Sequence, residues 1–233
     1  MDFATLKELK IADFERAAER YRTARDMADS TQKSLQDHVI AKMYSLLDGE
    51  ARDAAVEQLQ KLSHNFHYVQ IECGLATTAL NALAADLSAA QRKLLTAVEG
   101  AQAAGFRVNS DGSVTYPAAG HEVDGKLPPG DTVSGSPQGK GPSTGISPPA
   151  DANDTASALR DQASNIDPNP NRGEAVAYAN RIAQAVDEAR KADESWAPQL
   201  RKLKADDDLN VSTRDWLDTH QDATGVRTAA KNY

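Results

Sequence analysis

A long stripe of small and apolar residues, with no charge among them, constrains this chain more than any other feature. Leu59, Leu62, Phe66, Val69, Cys73, Ala76, Leu80, Leu83, Leu87, Ala90, Leu94, Ala97, Ala101 and Ala104 recur at alternating three- and four-residue steps. Such spacing puts every one of them on the same face of an α-helix, and sustained over many heptads it is the mark of coiled-coil-like packing. A helix from Arg52 to Ala104 would extend roughly 80 Å. A stripe that long needs another helix to cover it.

The preceding segment supplies a candidate. Phe14, Ala17, Tyr21, Ala24, Ala28, Thr31, Leu35, Val39, Met43 and Leu46 recur at three- and four-residue steps, with Asp13 placed to cap the helix start. Between the two runs stands LLDGE, residues 46 to 50. Glycine inside a helix is about 1 kcal/mol less favourable than alanine, so Gly49 reads better as a break than as an interior residue. The sequence predicts that Gly49 takes a left-handed conformation as the C′ residue of the first helix, closing an antiparallel hairpin. Leu47 is expected to pack across the helix ends. The stripe residues, Leu59, Leu62, Phe66, Val69, Cys73, Leu80, Leu83, Leu87 and Leu94 above all, are expected to face the first helix or later ones.

After Gly105 the periodicity changes. FRVNSDGSVTY, residues 106 to 116, alternates on both sides of Asp111-Gly112 and predicts a small β-hairpin. Residues 117 to 153 are rich in Pro, Gly and Ser and predict a flexible or extended linker. A second helical segment is expected over 154 to 222. It opens with TASALRDQA, stops at Asp167-Pro168-Asn169-Pro170, and resumes with Ala175, Tyr178, Ile182, Ala185, Ala189, Ala192, Trp196, Leu200 and Leu203 on one face. Pro198 should kink that helix, or restart it with Ser195 as cap. Ser212-Thr213-Arg214-Asp215 predicts a capping box opening a last short helix through Trp216 and His220, with 223 to 233 as a tail. The fold class is therefore all-α, a long coiled-coil-like hairpin (1 to 116, with its terminal β-hairpin) followed by linker and a helical segment that packs on it or on a partner.

Composition narrows function. The 233 residues are 40% hydrophobic but only 5% aromatic, and alanine supplies much of the apolar share, which suits closely approaching helices. A net charge of -8 disfavours nucleic acid and anionic membranes as partners. The amino-terminal MDFATLKELKIADFE has no apolar signal region, and no run approaches membrane-spanning length. The expectation is a cytoplasmic protein, or one exported by a route that reads no ordinary signal peptide.

Motifs for chemistry fail on context. Gly141-Pro142-Ser143-Thr144-Gly145 has the spelling of a nucleophile elbow, but Pro-rich sequence replaces the strand and helix that would expose the serine. His64 and His67 are three apart on the second helix without a third ligand nearby, so surface or interhelical hydrogen bonding is the expected role. Asp206, Asp207, Asp208, Asn210 and Ser212 imitate a calcium loop, yet Val211 and Leu217 stand where an EF-hand needs Gly and Glu. Cys73, the single cysteine, falls on the stripe as a small hydrophobe. No catalytic residue, metal or cofactor is expected.

Two alanine-rich helices turning at Leu47-Asp48-Gly49, the following GEARDAAVEQLQKL, and a second helix ending in AQAAGFRVNSDGSVTY together resemble the WXG/LXG superfamily of type VII secretion substrates. The resemblance covers about residues 1 to 116, with leucine where founding members carry tryptophan. DPNPN and YANRIAQAVDEARKADESWAPQLRKLKADDDL look like the helical extension of longer actinobacterial relatives, where it often precedes an α/β-hydrolase-like or toxin domain. Tyr44…Asp48 and Tyr68…Glu72 have the Tyr-x-x-x-Asp/Glu spacing of that family's export signal, but neither follows the second helix and neither is assigned as a signal. The resemblance implies a non-enzymatic substrate or export-targeting region. It would bind a small helical secretion partner or a second copy, engage the secretion machinery, and leave the cell without a signal peptide. An intracellular scaffold and the amino-terminal part of a longer hydrolase-like or toxin protein are the alternatives.

Overall fold

The computed structural model describes residues 1–122, 125–138, 169–203 and 211–231. The chain is mostly helical, with a small three-stranded antiparallel sheet. Helix α1 is Phe3–Glu8, α2 is Ile11–Ser34, α3 is Ala41–Leu46 and α4 is Glu50–Ala103. Strands β1 (Arg107–Val108), β2 (Val114–Tyr116) and β3 (Asp131–Val133) follow, then α5 (Asn171–Lys202) and α6 (Thr213–Lys231). The predicted TASALRDQA helix, Ser143 and the acidic run Asp206 to Asn210 lie outside the described residues. The chain divides into two compact units. The first comprises Met1–Leu9 and Asp86–Lys191, the second Lys10–Ala85 and Ala192–Tyr233.

In the first unit, the C-terminal part of α4 packs antiparallel to the N-terminal part of α5. Lys93 pairs with Glu188 at 2.7 Å, while seven residues further along α4 a Cβ on Gly100 would come within 2.8 Å of the Tyr178 ring. Alanines at three- and four-residue steps on both helices are buried there, including Ala90, Ala97 and Ala101 of α4 and Ala175, Ala179 and Ala189 of α5. Small side chains let the backbones approach closely, and Leu87, Leu94 and Ile182 fill what remains. The first unit also holds α1, which the sequence did not predict. Asp2 caps it by accepting from the Thr5 N–H at 2.8 Å. Its end is strapped by Gln91 Nε2, which donates to the carbonyls of Leu6 and Leu9 at 3.0 and 2.8 Å.

The hairpin forms as expected, with Arg107 opposite Thr115 and Val108 opposite Val114. Asp111 organises its loop by accepting from the Ser113 N–H and hydroxyl, and Gly112 has a φ of +85°. The linker expectation fails at Asp131–Val133, which adds to β2 as a third strand. Close backbone approaches hold the surrounding segment. A Cβ on Gly130 would overlap the Tyr116 carbonyl, and one on Gly135 the Ala179 carbonyl. Glycine here marks close packing, not looseness. Asn169, almost wholly buried, closes the unit by donating to the carbonyls of Pro117 and Pro129 while accepting from the Asn171 N–H.

In the second unit, α2 and the N-terminal part of α4 run antiparallel. Gln36 donates to Ser63, Gln70 to Asp29 and Thr77 to the Ala18 carbonyl, and a Cβ on Gly74 would touch Arg25, so the partner's number rises as the first falls. Helix α2 begins at Ile11 and not at Phe14. Asp13 lies inside its first turn, ion-paired with Arg16, where a negative charge suits the helix dipole. Between α2 and α3, residues Leu35–Ile40 form a π-helical turn, with the Ala41 N–H reaching back to the Gln36 carbonyl. The inserted residue turns the face. Ile40 is buried with Leu35 and Val56, while Val39, expected inside, is exposed.

Helix α5 runs through Pro198 and is not restarted there with Ser195 as cap. Proline removes one ladder hydrogen bond close to the helix end, while Trp196 beside it is buried and anchors the turn. The Ser212–Asp215 box is reciprocal, each backbone N–H donating to the other's side chain. The helix it opens continues to Lys231, so most of the predicted tail is helical. Thr219, Asp222, Val226 and Ala229 form its buried face at three- and four-residue steps.

Candidate functional site

The turn between α3 and α4 places Leu47-Asp48-Gly49 at the end of the second unit's helix pair. Leu47 is the C-cap of α3 in extended conformation, so Asp48 occupies the position predicted for Gly49. Gly49, with a φ of +94°, stands directly before α4, and its carbonyl accepts from the Asp53 N–H at 3.3 Å. It is the N-cap of the second helix, not the C′ of the first. Leu47 is 49% and Leu46 76% exposed, so neither packs across the helix ends. A residue the sequence did not single out holds the turn instead. Arg52 donates to the Leu47 carbonyl and the Asp48 carboxylate at 3.1 and 3.2 Å, and its guanidinium lies over the Tyr44 ring at 5.5 Å. The one signal for it was a cation four residues after Asp48 in the first turn of a helix, where the dipole disfavours it unless local acceptors compensate.

The α4 stripe divides. Leu83, Leu87 and Leu94 are buried, and Leu59, Phe66, Cys73 and Leu80 are half-buried. Leu62 and Val69, expected in the seam, are 41% and 40% exposed. The reason is rotational. The face turned to α2 carries Ser63, Gln70, Gly74 and Thr77, one position round from the stripe, because α2 offers polar partners there.

Helix α6 covers a different face of the same stretch. The Trp216 ring lies 4.9 Å from His64, 5.5 Å from His67 and 5.9 Å from Tyr68. His67 Nδ1 lies 3.0 Å from Gln70 Oε1. Among the described residues no group of three His, Cys, Asp or Glu side chains is placed to hold a metal ion. The Cys73 thiol is pushed up by burial and by the nearby Glu72 carboxylate, the opposite of what activates a nucleophile. Of the two Tyr-x-x-x-acid matches, Tyr44…Asp48 lies on the exposed turn, whereas Tyr68 and Glu72 are both buried.

The first unit contains a cavity of about 380 Å³, lined among others by Phe3, Ile182, Val186, Asp2, Asp111 and Arg190. Every carboxylate there is already engaged. Hydrogen bonds from Thr5 hold Asp2 below the usual range, and those from Ser113 do the same for Asp111. Asp187 is lowered by Lys191, at 2.9 Å, and by Arg190. Such groups stay ionised near neutrality. Comparison with protein-family models, with curated proteins and with solved structures finds no match to this chain.

Proposed function

We propose that the chain is a non-enzymatic substrate of a type VII secretion system, or the export-targeting region of one, and that it is recognised as a folded helical hairpin. The observation that carries this proposal is the turn. Two antiparallel helices break at an apolar-x-Gly tripeptide, Gly49 has positive φ, and Tyr44, Leu46 and Leu47 stand exposed around it. Exposed apolar side chains grouped at a helix junction suit docking of another protein. Leu62 and Val69 extend the apolar surface offered to a small helical partner or a second copy. No helix among the described residues is long and apolar enough to cross a membrane, which accords with recognition by machinery and not by insertion.

Fractionation of an actively secreting native host tests the proposal. The protein is expected in the culture supernatant, and disabling the secretion ATPase should return it to the cells. Retention in cells that export their other substrates would refute export and favour the intracellular scaffold.

A further inference from the structure

Helix α6 docks on α4 in an unusual way. Three buried side-chain atoms among the described residues lack a hydrogen-bond partner: Glu72 Oε1, Gln199 Oε1 and Trp216 Nε1. All three sit at α6. Trp216 belongs to it, Gln199 Oε1 lies where a Cβ on Gly225 would fall, and Glu72 faces Thr219 and Asp222 from α4. An unpaired buried polar atom destabilises the contact that covers it, so three at one helix mark the element of the second unit that opens most readily.

Charge makes that weakness conditional. Glu72 is 8% and Asp222 5% exposed, so two carboxylates on facing helices are both withdrawn from water. Asp218, one turn before Asp222, adds a third negative group, and Cys73 neighbours Glu72 on α4. Lys202 of α5 is the cation that acts on Asp222. Arg25 and Asp29 of α2 meet α4 at Gly74 and Gln70, about 200° around the helix from Glu72. They therefore do not neutralise the pair. Two buried carboxylates on facing helices are poorly tolerated when both are ionised, whereas protonating one of them relieves both burial and repulsion.

We infer that α6 is a pH-governed latch on α4, docked while the Glu72–Asp222 pair holds a proton and loosened once both carboxylates ionise. Burial, then the neighbouring Asp222 and Asp218, raises Glu72 above its ordinary 4.5, with Thr219 opposing. Burial, then Asp218, raises Asp222 above its ordinary 3.8, with Lys202 opposing. The docked state thus binds protons more tightly than the undocked state. Docking strengthens as pH falls through the raised values and gains nothing further below the ordinary ones. Opening would expose Tyr68, Glu72 and Trp216 together.

Hydrogen exchange on the full chain, corrected for intrinsic rates, reads this directly. Amide protection across 213 to 231 is expected to fall about tenfold or more as pH rises from about 4, near the ordinary carboxylate values, to about 8, while α4 around Leu94 stays protected. Glu72→Gln with Asp222→Asn should hold α6 protected at both values. Asp218→Asn, at an exposed position, should weaken the pH dependence without touching buried packing. Wild-type protection that does not change with pH would overturn the latch, whatever the variants do. So would an undiminished pH dependence in the double variant.

Discussion

The two compact units solve the same problem, covering part of α4, with opposite chemistry. In the first, the buried residues of α4 and α5 are mostly alanines, with Leu87, Leu94 and Ile182 among them. In the second, Asp29 and Ala18 of α2 and Gln36 of the π-helical turn meet Gln70, Thr77 and Ser63, and α6 buries Glu72 and Asp222. Small-residue packing is rigid because each contact depends on backbone approach and leaves no room for alternatives. Polar packing specifies register through paired hydrogen bonds, but each bond adds only about 1 kcal/mol net. The first unit is thus expected to resist opening, and the second to yield.

A matched pair of aspartate substitutions on one helix would break that contrast if it is false. Leu94 is fully buried in the first unit, and Leu94→Asp should destabilise by at least about 4 kcal/mol, since it strands a charge in a packed core. Leu62→Asp, on the exposed part of the same stripe, should stay within about 0.5 kcal/mol of wild type. Thermal or urea unfolding measures both. Equal losses would mean that Leu62 is covered and that the stripe is a continuous seam.

Two glycines sharpen the comparison at smaller amplitude. Gly135→Ala pushes a methyl into the Ala179 carbonyl and should destabilise the first unit by about 1–3 kcal/mol, through overpacking alone. Gly49→Val meets nothing within 4 Å, so its expected loss of about 1–3 kcal/mol comes entirely from forcing a β-branched residue to positive φ. Gly49→Ala should recover part of that loss, whereas no side chain at Gly135 should be tolerated. A crystal structure of each variant would separate the causes, with backbone displacement at 135 and a changed φ at 49.

Helices and hairpin were legible because their signals are local. The three-four stripe, Asp111-Gly112 and the Ser212 box each specify an element without reference to anything distant. What the sequence hid was phase and partner. The π-helical turn that exchanges Val39 for Ile40 leaves no mark in residue type, since both are β-branched and apolar. The face of α4 that meets α2 was misplaced because Ser63, Gln70 and Thr77 look like surface residues until Gln36, Asp29 and the Ala18 carbonyl are set opposite them. Strand β3 is three residues long and exists through its pairing with β2, so nothing in a Pro/Gly/Ser-rich stretch announced it. The turn at Gly49 was visible as a break, but its clamp, Arg52, was not.

The two exposed leucines of the turn are expected to change stability little, and they bear most on function. Leu46 and Leu47 are both exposed, so replacing them with serine removes little buried area and should shift stability by under about 0.5 kcal/mol. Leu47→Ala alone should fall within the same range, far from the 2–4 kcal/mol that an enclosed leucine would lose. If the pair anchors a partner, the double serine variant should lose binding in a pull-down from native-host extract, and should lose export, while its melting curve overlays the wild type. Arg52→Ala supplies the converse. It frees the Leu47 carbonyl and the Tyr44 ring, loosens the turn, and should reduce binding only in proportion to its loss of helicity. A double serine variant that is exported normally would place recognition elsewhere on the chain. A variant that unfolds would show that the turn is covered and that the two leucines serve packing after all.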